Sequence, residues 1–195
     1  EQDPDHIETV QIGASSLYDI VSIPFAWDSL LVSRAIVQIA EKEDLDQFST
    51  SHFDILGACA NVAQIDIQER TATIDDWLEI FEKCKSHLFA GLISEEYCDF
   101  AHNVLLQFMT ALGEDGLKNA LGAIMKVTDM IFEPESSEYS AKIQDVMAGF
   151  LISLHDLGGL FTQSLQKYAF KLLEIHSVDG NPLGDFLLHV QTHEI

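Results

Sequence analysis

The apolar residues of this chain recur at the spacing of an α-helix, and this pattern constrains the fold more than any other feature. In the segment after Ser94 they fall at i, i+3, i+4, i+7, i+8 and i+11. The residues concerned are Tyr97, Phe100, Ala101, Val104, Leu105, Phe108, Ala111 and Leu112. Such a stripe is typical of a helix that buries one face, and strand-like alternation is almost absent. We therefore expect an all-α fold.

Residues typical of helix ends divide this pattern into about eight amphipathic helices. Thr73 and Asp76 loosely follow a capping box, and Pro24 fits a first turn, where its missing N–H costs nothing. Ser94 is a predicted N-cap and Gly113 a predicted helix stop. The predicted helices span residues 22–40, 51–63, 73–88, 94–112, 117–132, 137–154, 160–175 and 182–191.

Length and composition favour a single domain. The chain has 195 residues, of which 47% are hydrophobic, and this is enough for a sizeable buried core. Short connectors between the predicted helices favour antiparallel packing of neighbours. We predict a flexible N-terminal segment over residues 1–14 and a single-domain helical bundle over residues 15–195. The expected core contains Leu31, Ile36, Trp77, Phe81, Phe100, Val104, Phe108, Leu121, Phe150, Tyr168 and Leu172.

The C-terminal region contains an internal similarity, in which residues 91–130 resemble residues 159–195. Phe100-Ala101, for example, reappears 68 positions later as Tyr168-Ala169. A duplicated pair of helices would explain the similarity, as in repeat architectures. Two unrelated amphipathic helices joined by a glycine turn would also align this well, so both interpretations stay open.

The charge balance excludes several classes of partner. The chain has 10 basic and 32 acidic residues, which gives a formal net charge of −22 and a sequence pI near 4.3. Nucleic acids and anionic membranes need a positive surface, so we expect neither as a partner. The longest apolar stretch, residues 146–154, has nine residues, whereas a membrane-spanning helix needs about 20.

The three cysteines leave two interpretations open. Gly91 lies midway between Cys84 and Cys98, and a turn at Gly91 would place both side chains at the same height of an antiparallel pair of helices. A disulfide between them is then geometrically possible and would indicate an oxidising compartment. The alternative is two buried thiols that behave as small hydrophobic residues, as we expect of Cys59.

No pattern in the chain points to catalysis. The sequence lacks the GxSxG, P-loop, GxGxxG, CxxC and HExxH motifs. His189 and His193 lie at i and i+4, a spacing that can hold a metal ion, but a zinc site needs further ligands. Their place near the end of this sequence favours two solvated histidines instead. We therefore expect no catalytic residue, no metal site and no cofactor, and a protein that is not an enzyme.

Two serine-rich segments carry a resemblance to a known family. They are Ser136-Ser137-Glu138-Tyr139-Ser140-Ala141, followed by Phe150-Leu151, and Ser177-Val178-Asp179-Gly180-Asn181, followed by Leu183 and Phe186. In rhythm they resemble the globular, all-helical repeat domains of aciniform and tubuliform spider silk proteins. The resemblance implies an extracellular structural module. The chain departs from those repeats, which are nearly neutral and usually cysteine-free, in its net charge of −22 and its three cysteines.

These observations favour an extracellular structural or interaction module that associates with itself or with another protein. Its high like charge would keep it dispersed, and acidification would remove that repulsion. One alternative is a soluble carrier that binds a small apolar ligand between helices, in a cavity lined by Phe and Met. A second alternative is an acidic helical module that binds a basic protein.

Overall fold

A computed structural model describes residues 33–34, 50–133, 139–174 and 182–193 of the chain. Within these residues the structure contains helices and no strand, so the all-α prediction is confirmed. The described helices are α1 (Thr50–Glu69), α2 (Ile74–Leu92), α3 (Cys98–Ile131), α4 (Ala141–His155), α5 (Gly159–Leu173) and α6 (Pro182–Thr192). Among the same residues, no helix has the length and apolarity that a membrane span requires.

The described residues contain six helices, whereas the sequence predicted about eight. The predicted helices over 94–112 and 117–132 form the two halves of α3, which meet in a kink at Gly113, the predicted helix stop. Gly113 has φ +57° and ψ −139°, so it breaks the helical path for a single residue and the helix then resumes. The predicted helix over 22–40 lies outside the described residues except for 33–34, and the predicted N-terminal segment over 1–14 lies outside them entirely.

The predicted capping box at the start of α2 is present. The Thr73 hydroxyl accepts a hydrogen bond from the Asp76 backbone N–H at 3.2 Å, and the Asp76 carboxylate accepts one from the Thr73 backbone N–H at 3.2 Å. The predicted N-cap Ser94 does not cap α3. Its carbonyl instead accepts a hydrogen bond from Cys98 N at 2.9 Å within a turn, and α3 begins at Cys98.

The core of the described residues forms around α3. Helices α1 and α2 pack along α3, and α4 connects α3 to α5 and α6. The predicted core residues that are buried are Trp77, Phe81, Val104, Phe108, Phe150, Tyr168 and Leu172. Phe100 and Leu121 are half-buried at the margin of the core, because a stripe predicts the direction of a side chain and not its depth. Leu31 and Ile36 lie outside the described residues.

Tyr168 links α5 to α3 through its polar end. Its hydroxyl donates a hydrogen bond to Asp129 Oδ1 at 2.7 Å and lies 3.2 Å from the Met125 carbonyl oxygen. Burial raises the pKa of Tyr168 well above its usual range, and the nearby Asp129 carboxylate raises it further. The phenol is therefore a neutral donor that fixes the rotation of α5 against α3.

Cys84 and Cys98 are separate buried thiols in the structure, so the disulfide considered from the sequence is not formed. That hypothesis needed a turn at Gly91, but α2 continues to Leu92 and α3 begins only at Cys98. Cys84 therefore lies about 12 Å along the helix axis from the end of α2, whereas Cys98 is the first residue of α3. Cys59 is buried as well, and burial raises the pKa of its thiol to about 11.

Candidate functional site

Titratable side chains from two distant parts of the chain meet where α4 ends. His155 is the last residue of α4, Asp156 follows it, and His189 lies on α6. One ligand atom of each residue lies within 4.8 Å of the others. We refer to His155, Asp156 and His189 as the His–Asp cluster.

The backbone after α4 holds the first two members of the cluster in place. The His155 carbonyl oxygen accepts hydrogen bonds from Gly158 N at 3.2 Å and from the Thr162 hydroxyl at 2.7 Å. Gly158 and Gly159 have φ values of +80° and +58°, in the left-handed region that glycine adopts without strain. This tight turn into α5 fixes Asp156 directly beyond the end of α4.

His155 is the buried member of the cluster, with 3% of its surface exposed. Neither ring nitrogen has a hydrogen-bond partner, and Nδ1 lies 3.5 Å from Asp156 Oδ1. A neutral imidazole carries one N–H group, and a buried donor without a partner costs about 1–3 kcal/mol. Burial lowers the pKa of His155, and the nearby His189 and His193 lower it further, although Asp156 opposes this effect.

Asp156 and His189 form the exposed side of the cluster. His189 Nε2 lies 2.7 Å from Asp156 Oδ1, a short hydrogen bond. The Asp156 side chain is 55% exposed and that of His189 is 20% exposed, so solvent reaches both. Partial burial would raise the pKa of Asp156, but the hydrogen bond and the charge of His189 outweigh it and lower the pKa.

His193 lies beside the cluster without belonging to it. Its ring is 4.3 Å from the His189 ring and 6.5 Å from the His155 ring, between centroids. Its Nδ1 lies 2.8 Å from the His189 carbonyl oxygen. Because a carbonyl oxygen only accepts hydrogen bonds, Nδ1 carries a proton in this contact.

The sequence pattern identified His189 and His193 and missed His155 and Asp156. The first pair lies at helical spacing, which a sequence displays directly. The second pair lies more than 30 positions earlier and meets His189 only because α4 packs against α6. His189 is only partly solvated, because its side chain is 20% exposed and bonded to Asp156. His193 is exposed.

The acidic residues of the described part of the chain lie almost entirely on its surface. Asp66 is the buried exception, and it accepts a hydrogen bond from the Thr71 hydroxyl at 3.0 Å. The described ion pairs with lysine or arginine lie mostly on α2 and α3, and Arg34 joins both Asp76 and Glu79. They are exposed or partly exposed, so each contributes little to stability.

Helix α5 differs from the other described helices because it contains no acidic residue. Lys167, Phe170 and Lys171 lie on its exposed side, and 51% of the Phe170 surface is accessible. In the part of the chain that the structure describes, neither lysine forms an ion pair. We refer to Lys167, Phe170 and Lys171 as the α5 face.

Two surface grooves bear on the expectation of an apolar carrier. One, of about 330 Å³, lies between α1 and α3, and its lining includes Asn61, Asn103 and Gln107 beside Phe100. The other, of about 620 Å³, is lined by residues that include Met130 and Glu133. Both grooves open to solvent and mix polar with apolar groups, so neither of the two is an enclosed apolar cavity.

Comparisons with protein-family models, with curated proteins and with solved structures found no match for this chain.

Proposed function

We propose that the protein is a non-enzymatic, extracellular structural module that associates with further copies of itself under the control of its acidic surface. In this proposal the helices form a single-domain bundle with mostly antiparallel neighbours. The main support for the proposal is that the α5 face is basic and apolar, although the chain has a net charge of −22. The extracellular location depends on the resemblance to silk repeats alone.

Charge complementarity supports a second copy of this chain as the partner that covers the α5 face. Two copies of this face would bring lysines against lysines, which is unfavourable. The acidic residues exposed on α1, α2 and α3 of a second copy offer the opposite charge. Association therefore joins the α5 face of one copy to an acidic face of the next. Such a head-to-tail contact does not need to close and can extend into an array.

Net charge decides when this contact forms. At neutral pH the repulsion between two chains of charge −22 opposes any approach. As the pH falls toward the pI near 4.3, carboxylates and histidines take up protons and the repulsion weakens. Phe170 then offers apolar area that association can bury. We expect a monomer at about pH 7.5 and larger species at about pH 5.

Charge-reversal variants test the proposal at equal net charge. Lys167→Glu, on the α5 face, should reduce the acid-induced rise in light-scattering mass. Lys126→Glu is the matched control, because Lys126 is an exposed lysine on α3 and the charge change is the same. Phe170→Ser should act like Lys167→Glu, and Met130→Ser, at another exposed apolar residue, should not. The proposal fails if the wild type stays monomeric at millimolar concentration, or if Lys126→Glu has the same effect as Lys167→Glu.

A further inference from the structure

We propose that His155, Asp156 and His189 form a binding site for a divalent metal ion of the zinc type. The site offers two imidazole nitrogens and one carboxylate oxygen, and no thiolate. Imidazole ligands suit Zn²⁺, Cu²⁺ and Ni²⁺, whereas Ca²⁺ and Mg²⁺ prefer sites built from oxygen alone. This proposal is independent of the self-association proposed above.

The distances within the His–Asp cluster are close to those of a coordinated ion. Zn²⁺ lies about 2.0–2.2 Å from nitrogen and oxygen ligands, so two ligands at tetrahedral angles are about 3.3 Å apart. The ligand atoms here lie within 4.8 Å of one another, with His189 Nε2 at 2.7 Å and His155 Nδ1 at 3.5 Å from Asp156 Oδ1. Side-chain rotations that change these separations by up to about 1.5 Å would complete the geometry.

The unpartnered ring of His155 is a second observation that points to a ligand. Asp156 and His189 satisfy each other, so their contact alone would need nothing more. His155 lies against this pair with both nitrogens lacking hydrogen bonds, although it is almost fully buried. A bound ion would take the lone pair of one nitrogen and so give that nitrogen the partner that it lacks.

The local electrostatic field favours a cation at the same place. His155 ends α4, and His189 lies in the last turn of α6, so the negative ends of two helix dipoles meet at the cluster. The Asp156 carboxylate adds a full negative charge. Because Asp156 is exposed, an ion can enter from solvent, and water can occupy the remaining coordination position.

Calorimetric titration with ZnCl₂ in excess MgCl₂ tests the site on full-length protein without a histidine tag. Mg²⁺ occupies the general carboxylate surface, so a specific site should still bind one equivalent of Zn²⁺. His189→Gln and Asp156→Asn should each weaken this binding at least about 100-fold, more than the 10–100-fold that loss of an outer-shell partner produces. His87→Gln on α2 is the matched control and should bind Zn²⁺ as the wild type does.

Co²⁺ gives an independent readout, because a tetrahedral site with nitrogen ligands produces visible absorption that His189→Gln should abolish. Asp156 is exposed, so Asp156→Asn keeps the test valid even if a histidine variant fails to fold. Displacement of Zn²⁺ by Mg²⁺ would overturn the proposal. Equal Zn²⁺ affinity in the wild type and in Asp156→Asn would overturn it as well.

Discussion

The bend in α3 depends on a single residue, Gly113, because its φ of +57° lies in the left-handed region. The space around its Cβ position is open, so backbone conformation and not crowding requires glycine there. A residue with a Cβ atom in such a conformation costs about 1–3 kcal/mol. We expect Gly113→Ala to lower the free energy of unfolding by about this amount, measured by urea denaturation.

Gly122 provides the matched control, because it lies in the same helix with a helical backbone and open space around its Cβ position. Gly122→Ala should raise the free energy of unfolding by about 0.5–1 kcal/mol. If the two alanine variants are equally stable, the backbone conformation of Gly113 does not matter to the fold.

Residue patterns predict which side chains share one face of a helix better than they predict contacts between helices. The i, i+4 spacing of His189 and His193 is visible in the sequence. It predicts that the two rings are neighbours, and their centroids lie 4.3 Å apart near the end of α6. The contact of His189 with Asp156 depends on how α4 lies against α6, which no local spacing encodes. Of the three members of the His–Asp cluster, the sequence pattern therefore indicated His189 alone.

Among the helices, the N-terminal ends differ in how strongly side chains cap them. Thr73 and Asp76 satisfy each other's backbone at the start of α2, whereas the Ser140 hydroxyl accepts from Ile143 N at 3.5 Å, the limit of a hydrogen bond. Thr73→Ala should lower the free energy of unfolding by about 1 kcal/mol. Ser140→Ala, measured in the same urea titration, should lower it less, and the reverse order would contradict this account of the caps.

The contact between α3 and α4 predicts a dependence of stability on pH. The His102 ring lies edge-on to Phe150, 5.6 Å away between centroids, and burial lowers the pKa of His102, although Asp99 opposes this. The folded protein thus keeps this ring neutral where the unfolded chain, with a pKa near 6.5, takes up a proton. The neutral His102 ring therefore costs the folded state nothing well above about pH 6.5, and the free energy of unfolding falls as the pH drops below that value.

Urea denaturation at about pH 7.5 and 5.5 measures this effect. The wild type should be less stable at the lower pH, and His102→Gln should show a smaller loss. His155 also has a pKa lowered by burial, so some loss remains in the variant. A loss of equal size in the variant and the wild type would contradict the role of His102.

The helices themselves were predictable because a stripe of apolar residues repeats at 3.6 residues per turn. The number of helices was less predictable, because Gly113 can either end a helix or bend it, and the residue type is the same in both cases. The prediction of a turn at Gly91 was wrong for a related reason, because glycine also fits the last turn of a helix. Gly91 lies in the last turn of α2, where the side chains of Ala101 and Phe53 approach its backbone closely.

At the scale of the whole molecule, the sequence gives the charge, and the structure gives its distribution. The net charge of −22 predicts repulsion between copies, but it does not say where that repulsion is weakest. That residues 159–173 contain no acidic residue can be read from the sequence. Which of their side chains are exposed depends on how α5 packs on α3, α4 and α6, and this places Lys167, Phe170 and Lys171 outside.

Cross-linking of mixed chains tests most directly whether the α5 face of one copy contacts an acidic face of another. Unlabelled and ¹⁵N-labelled protein are combined at about pH 5 and treated with a zero-length carbodiimide, which joins lysine amines to carboxylates. Mass spectrometry then identifies links between labelled and unlabelled chains. The proposal predicts that such links start at Lys167 and Lys171, and links that start only at other lysines, such as Lys126, would contradict it.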